Sequence, residues 1–229
     1  MACILHIETS TAVCSIALSD NESVVFSKEN HEGMSHASIL GLFTEEAMRF
    51  ARENGKQLDA VAVSCGPGSY TGLRIGVSTA KGLCYGLDIP LIAIPTLQIL
   101  TVDALHKLDF ADYLYCPMID ARRMEVYSAL FVKNFTILKD VSAEIIDKNS
   151  FADELLSRKI VFFGTGAEKC KAVIKHPNAV FAENIHPLAK NMLSLSEEKF
   201  HRKAFEDVAY FEPFYLKDFV ATTPKNKVF

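Results

Sequence analysis

Apolar residues fall along the chain in short runs, some alternating and some at helical spacing, and the runs repeat in one order. Cys3–Glu8 alternates around Leu5 and Ile7 and predicts a first strand. The polar turn Thr9-Ser10-Thr11 leads to a second strand over 12–18, and Asp20-Asn21 turns into a third over 23–26. Ser35 is placed to cap a helix over 36–54, with Ile39, Leu40, Phe43, Ala47, Met48 and Phe50 apolar and Gly55 ending it. A buried strand over 60–64, a helix over 70–85 behind Ser69, a strand over 90–94 and a helix to about Leu108 complete a β-β-β-α-β-α-β-α unit.

A second, shortened unit begins near Tyr113. Strands are predicted over 114–119, 125–132 and 135–141, the first two joined by Asp120-Ala121-Arg122-Arg123. Ser150, with Asp153 three residues on, reads as a capping box for a short helix. A strand over 160–163 runs through Gly164-Thr165-Gly166 into another helix, and a last helix covers 187–201. The tail carries Phe205, Tyr210, Phe211, Phe214, Tyr215 and Phe219, too many aromatics for a loose end. The pattern predicts an α/β protein of two similar halves, 1–108 and a reduced 109–229.

The densest signal lies at 59–86. A β-branched strand meets the glycine turn Gly66-Pro67-Gly68, and Ser69 then opens a helix, so backbone N–H groups converge on one point in a way that suits an anion. Within that helix Gly72, Gly76 and Ala80 recur every fourth position as a ridge almost without side chains. Each glycine costs a helix roughly 1 kcal/mol relative to alanine, so the ridge predicts a close neighbour. That neighbour is either the chain's own sheet or a second helix packed backbone to backbone. A dinucleotide site is weaker, because the strict G-x-G-x-x-G fingerprint fails.

Composition narrows the classes. At 229 residues the chain can bury a proper core, and its net charge of −4 gives no overall field to draw it to nucleic acid or an acidic membrane. Six cysteines are scattered without a C-x-x-C, which predicts free thiols in a reducing, cytoplasmic setting. The N-terminus starts in a strand without a basic leader, and the apolar stretch 89–100 holds two prolines and is too short to span a bilayer. The turn of Glu8, Thr9, Ser10 and Thr11 could offer hydroxyls to a phosphate and a carboxylate to a metal or water, though such hairpins are more often only turns. His31 and His36 stand five apart, where helical metal ligands want three or four, so no metal site is predicted. His6 reads as a core residue. Ser64 and Ser69 lack the G-x-S-x-G context and a placed histidine, and Asp120 reads equally as a base or as part of an ion-pair group.

The segments I-L-H-I-E-T-S-T, S-H-A-S-I-L, S-C-G-P-G-S-Y-T-G-L-R-I-G-V-S-T-A-K-G-L, I-D-A-R-R-M-E-V-Y and P-F-Y-L-K resemble, in order, the bacterial TsaB (YeaZ) family. The resemblance implies an actin-like, two-domain fold of the sugar kinase and Hsp70 superfamily. It also implies a non-catalytic subunit that pairs with a TsaD-like catalytic subunit and a TsaE-like ATPase, or with itself as a homodimer, through its first two helices. The work implied is N6-threonylcarbamoylation of adenosine 37 in tRNAs reading codons that begin with A, with tRNA met indirectly through the complex. His36, Leu40, Gly41, Gly72, Leu73, Gly76, Val77 and Ala80 would form the partner seam, so Gly76→Glu should break pairing and leave the monomer folded. Where TsaD carries two metal-binding histidines this chain has Thr96 and Leu100, and the resemblance implies that the metal site is lost. Glu8, Thr9, Ser10, Thr11, Asp120, Gly164 and Gly166 would be vestigial nucleotide loops, with Gly66, Pro67 and Gly68 a structural turn. No cofactor of its own is implied, and ATP or ADP enters only in the complex. The alternatives are an ATP-dependent phosphotransferase using Glu8 or a TsaD-like metal enzyme of the same fold.

Overall fold

The computed structural model describes residues 2–33, 36–110 and 112–217. The first sheet holds β1 (Cys3–Glu8), β2 (Cys14–Asp20), β3 (Ser23–Asn30), β4 (Ala60–Gly66) and β5 (Leu91–Pro95), in the order β3-β2-β1-β4-β5. The second holds β6 (Leu114–Asp120), β7 (Glu125–Phe131), β8 (Ile137–Ile145), β9 (Ile160–Phe163) and β10 (Ala179–Ala182), in the order β10-β9-β6-β7-β8. Counted from its own first strand, each sheet runs third-second-first-fourth-fifth, with an antiparallel meander on one side and parallel strands on the other. This duplicated order is the actin-like arrangement, and the second half is the reduced one: β9, β10 and the helix between them have four residues each.

Ile4, Leu5 and Ile7 of β1 are all fully buried, as expected of a central strand covered on both faces. One cover is the pair α1 (His36–Glu53) and α2 (Tyr70–Leu87). On α1 the buried Leu40, Ala47 and Ala51 make an inward stripe, and Gly55, at φ +62, carries the chain out of the helix. The other cover includes α3 (Thr96–Lys107), which lies between the sheets. Its Ile99 packs into the core with Ile4 and Ile92, while Leu97, Leu100 and Ala104 pack with Tyr115, Ile119 and Phe163 of the second sheet. Burial of each leucine contributes about 2 kcal/mol, so α3 welds the halves together.

Three sequence expectations change. The helix over 187–201 is a 3-10 turn (Ala189–Met192) followed by α6 (Leu193–His201), and β10 carried no alternation to reveal it. Ser150 does not cap the short helix α4 (Ala152–Ser157): its hydroxyl bonds to Asp147 at 3.2 Å, and Phe151 at φ +61 precedes the helix instead. The boundary at 108/109 does divide the sheets, but Met192, Leu195 and Phe200 pack against Ala2, Ala62 and Ile94 of the first half. The chain therefore returns to the first half after β10. Ser35 and Phe219 lie outside the described residues.

Candidate functional site

Where β4 gives way to α2, Gly66 takes φ +111 and Ser69 caps the helix, its Oγ accepting the Gly72 N–H at 3.2 Å. Two of the N–H groups that the sequence aims at an anion, those of Ser69 and Gly72, are already engaged. Ser69 N–H donates to the Ser10 carbonyl at 2.7 Å, and Leu73 N–H to the Ser69 carbonyl at 2.8 Å. From the facing turn the Thr9 hydroxyl donates to the Gly72 carbonyl at 2.8 Å. The turn after β1 and the start of α2 are thus laced to each other.

The glycine ridge of α2 is sealed by this lacing. A Cβ on Gly72 would run into the Thr9 carbonyl oxygen, and one on Gly76 into the Thr9 hydroxyl with Ile7 Cγ2 3.6 Å away. Gly72, Leu73, Gly76, Val77 and Ala80 are buried on the chain's own sheet, and Leu40 on α1 is buried with them. These six are not a partner seam, because β1 and its turn occupy the space a foreign helix would need. Of the expected seam residues Gly41 is exposed, and half-buried His36 holds the Thr11 carbonyl through Nε2 at 2.8 Å.

The opposite face of the same helices is open. Thr71, Ile75, Ser78, Gly82 and Tyr85 recur at helical spacing about half a turn from the sealed ridge. Tyr85 is 87% exposed. Beside them lies Ala37 of α1, and a groove of about 460 Å³ runs between the helices, lined by Ala37, Tyr70, Thr71, Arg74, Ile75, Ser78 and Thr79. Among the described residues, a Cβ on Gly41 or Gly82 would meet nothing within 4 Å. The sequence signal for this second stripe was present: Leu73, Val77 and Cys84 flank the Gly72–Gly76 side of α2 and mark it as inward, which leaves Ser78 and Gly82 outward.

Between the halves lies a cleft of about 1090 Å³. Ser10, Thr11 and Gly68 line it from the first half, Asp120, Arg122, Tyr127 and Thr165 from the second, and Phe214 to Lys217 from the tail. The expected nucleotide-loop residues serve structure here. Asp120 accepts from the Arg122 N–H at 2.7 Å and pairs with Lys169. Gly164, at φ +96, leaves room for the Met118 carbonyl and Leu100, and Gly166 for Val126 and the β6 backbone. Glu8 lies wholly buried under the 9–11 turn, outside the cleft lining. Its Oε1 accepts the Ser10 N–H at 2.6 Å while Oε2 has no partner among the described residues. Burial pushes its carboxyl up to about 7; the Ser10 and Ser64 hydroxyls beside it hold the shift back, but neither forms a well-made bond.

Thr96 and Leu100 are buried, and among the described residues no three His, Cys, Asp or Glu side chains are grouped to hold a metal ion. His6 is a core residue, bonded through Nε2 to Ser19 Oγ at 2.9 Å. The cysteines are free, and all but Cys65 are buried. No described helix is long and apolar enough to cross a membrane.

The model of the family "TsaD: tRNA N6-adenosine threonylcarbamoyltransferase" matches residues 31–225. The tRNA threonylcarbamoyladenosine biosynthesis protein TsaB of Bacillus subtilis is 33% identical over 75% of this chain and 75% of its own. The protein of that name from Escherichia coli is 30% identical over 95% of this chain and 96% of its own. The chain belongs to the TsaB (YeaZ) family. A solved structure of YeaZ from Pseudomonas aeruginosa aligns with this TsaB-family chain at TM-score 0.75 and 26% identity, covering 94% of it and 100% of the YeaZ chain. A crystal structure described as a protein from the same organism with similarity to YeaZ reaches TM-score 0.81 at 25% identity over 95% of this chain and 100% of its own.

Proposed function

We propose that this chain serves tRNA threonylcarbamoyladenosine biosynthesis as a non-catalytic subunit, docking a TsaD-family catalytic protein on the open face of α1 and α2. A TsaE-like ATPase completes the assembly, and the same face serves self-pairing when the chain is alone. The observation that carries the reading is the pair of helix-interior glycines with none of the described residues over them. Gly41 and Gly82 each forgo about 1 kcal/mol of helix stability, and no contact among the described residues requires either. A partner backbone lying along the exposed side of α1 and α2 supplies the reason, with exposed Tyr85 as an apolar contact and the 460 Å³ groove beside it.

The non-catalytic role is supported by the engaged Ser69 and Gly72 N–H groups and by a Glu8 carboxyl shut away from the cleft. ATP or ADP accordingly binds only within the complex. A phosphotransferase of this fold would need that carboxylate at the cleft wall.

Gly41→Arg and Gly82→Arg test the face directly. Both replace glycine with a better helix former at an open position, so thermal stability is expected to stay level or rise. Titration against a purified TsaD-family subunit should show affinity lowered at least tenfold by either change. Native affinity in both variants would remove the α1–α2 face from the assembly.

A further inference from the structure

Residues 206–217 do not dangle; they run as a strap along α2 and across the mouth of the cleft. Glu206 N–H donates to the Leu91 carbonyl at 2.9 Å at the edge of β5. Lys81, midway along α2, holds the Ala209 and Phe211 carbonyls with Nζ, each at 3.1 Å. Phe214 N–H donates to the Cys65 carbonyl at 2.7 Å, and its own carbonyl lies where a side chain on Gly66 would have to go. Tyr215 then packs on Tyr70, ring centres 5.0 Å apart, and Lys217 pairs with Glu125 on β7 of the second half. Lys81 to Tyr70 is eleven residues, roughly 16 Å of helix, and Phe211 to Tyr215 spans a comparable length of extended chain. The strap therefore runs antiparallel to α2 and ends on the other half.

Tyr70 is the meeting point. It lines both the outer groove and the cleft. On the groove side Arg74 lies over its ring, 5.4 Å from the centre, and donates to its hydroxyl at 2.7 Å. On the cleft side it carries Tyr215. A single aromatic ring thus separates the face where a partner would dock from the strap that grips the second half.

We propose that the strap couples docking to the cleft: a partner seated in the α1–α2 groove fixes Tyr70, Tyr70 fixes Tyr215, and the strap then holds the second half against the first through Lys217 and Glu125. This rests on the docking reading above. Coupling of this kind is reciprocal, so whatever loosens the strap weakens docking by the same factor that docking tightens the strap.

Hydrogen exchange on the full chain, with and without a purified TsaD-family subunit, tests it. In the native chain the partner is expected to slow exchange over 71–86, and also about tenfold over 120–125, which the groove does not touch. Tyr215→Ala keeps the backbone anchors at Leu91, Lys81 and Cys65, so it should fold; it should keep protection over 71–86, lose it over 120–125 and bind three- to tenfold more weakly. Lys217→Ala should do the same. Protection over 71–86 with none over 120–125 in the native chain, or a Tyr215→Ala variant that behaves as native, overturns the coupling and spares the docking face. A native chain that gains no protection over 71–86 sinks the docking face, and the coupling with it.

Discussion

Gly76→Glu is expected to unfold this protein, not merely to deprive it of a partner. The new Cβ would strike the Thr9 hydroxyl, which already bonds to the Gly72 carbonyl, and the carboxylate beyond it would be driven toward β1 without a countercharge. Overpacking costs on the order of 1–3 kcal/mol and an unpaired buried charge several more. The sum rivals the 5–15 kcal/mol that holds a typical domain together. Gly72→Ala should also be severe: its clash is with a backbone carbonyl, which cannot swing away as a hydroxyl can. Gly76→Ala should be milder, at the loss of the Thr9 bond, about 1 kcal/mol. Gly82→Glu, on the open side of the same helix, is the control and should melt like the native chain. Circular dichroism melts of the four variants decide the matter. A cooperative Gly76→Glu transition within a few degrees of native would mean that the ridge is open after all.

The contrast between Gly76 and Gly82 also marks what could be read from the chain alone. Alternation and helical spacing located the strands and major helices, because burial on one face imprints a period on the sequence. The ridge of Gly72, Gly76 and Ala80 was correctly read as demanding a close neighbour. Its identity was settled by a fact of topology: parallel pairing of β4 beside β1 brings the 9–11 turn over the start of α2. No local pattern carries that information, although the apolar residues flanking the ridge pointed inward. The return of the chain to the first half was hidden for a similar reason. Met192, Leu195 and Phe200 are apolar, but spacing states only that a face is buried, not which sheet it meets. Of the loop residues that the family resemblance pointed to, Ser10, Thr11 and Asp120 line the cleft; the strap that spans it was visible only as an excess of aromatics in the tail.

Glu8→Gln should remove a pH dependence that the native chain carries. Burial raises the Glu8 carboxyl to about 7 in the folded state, against an ordinary value of 4.5. Below pH 4.5 the group is protonated whether the chain is folded or not, and it costs nothing. Between 4.5 and 7 the unfolded chain gives up the proton first, so the unfolded state binds fewer protons and stability falls as pH rises. The loss follows a slope of about 1.4 kcal/mol per pH unit and levels off above 7, reaching about 3 kcal/mol. Glutamine keeps the carbonyl that accepts the Ser10 N–H and adds donors beside the Ser10 and Ser64 hydroxyls, with no charge to desolvate. Urea titrations at pH 4 and pH 8 should therefore find the two proteins alike at the lower pH. At the higher pH Glu8→Gln should be the more stable by up to about 3 kcal/mol, or roughly 5–10 °C in melting temperature for a chain of this size. A variant weaker than native at pH 8 would show that the folded state uses an ionised carboxylate at Glu8. In that case the site beneath the 9–11 turn would be built to hold a negative charge, and the phosphotransferase reading would regain its carboxylate.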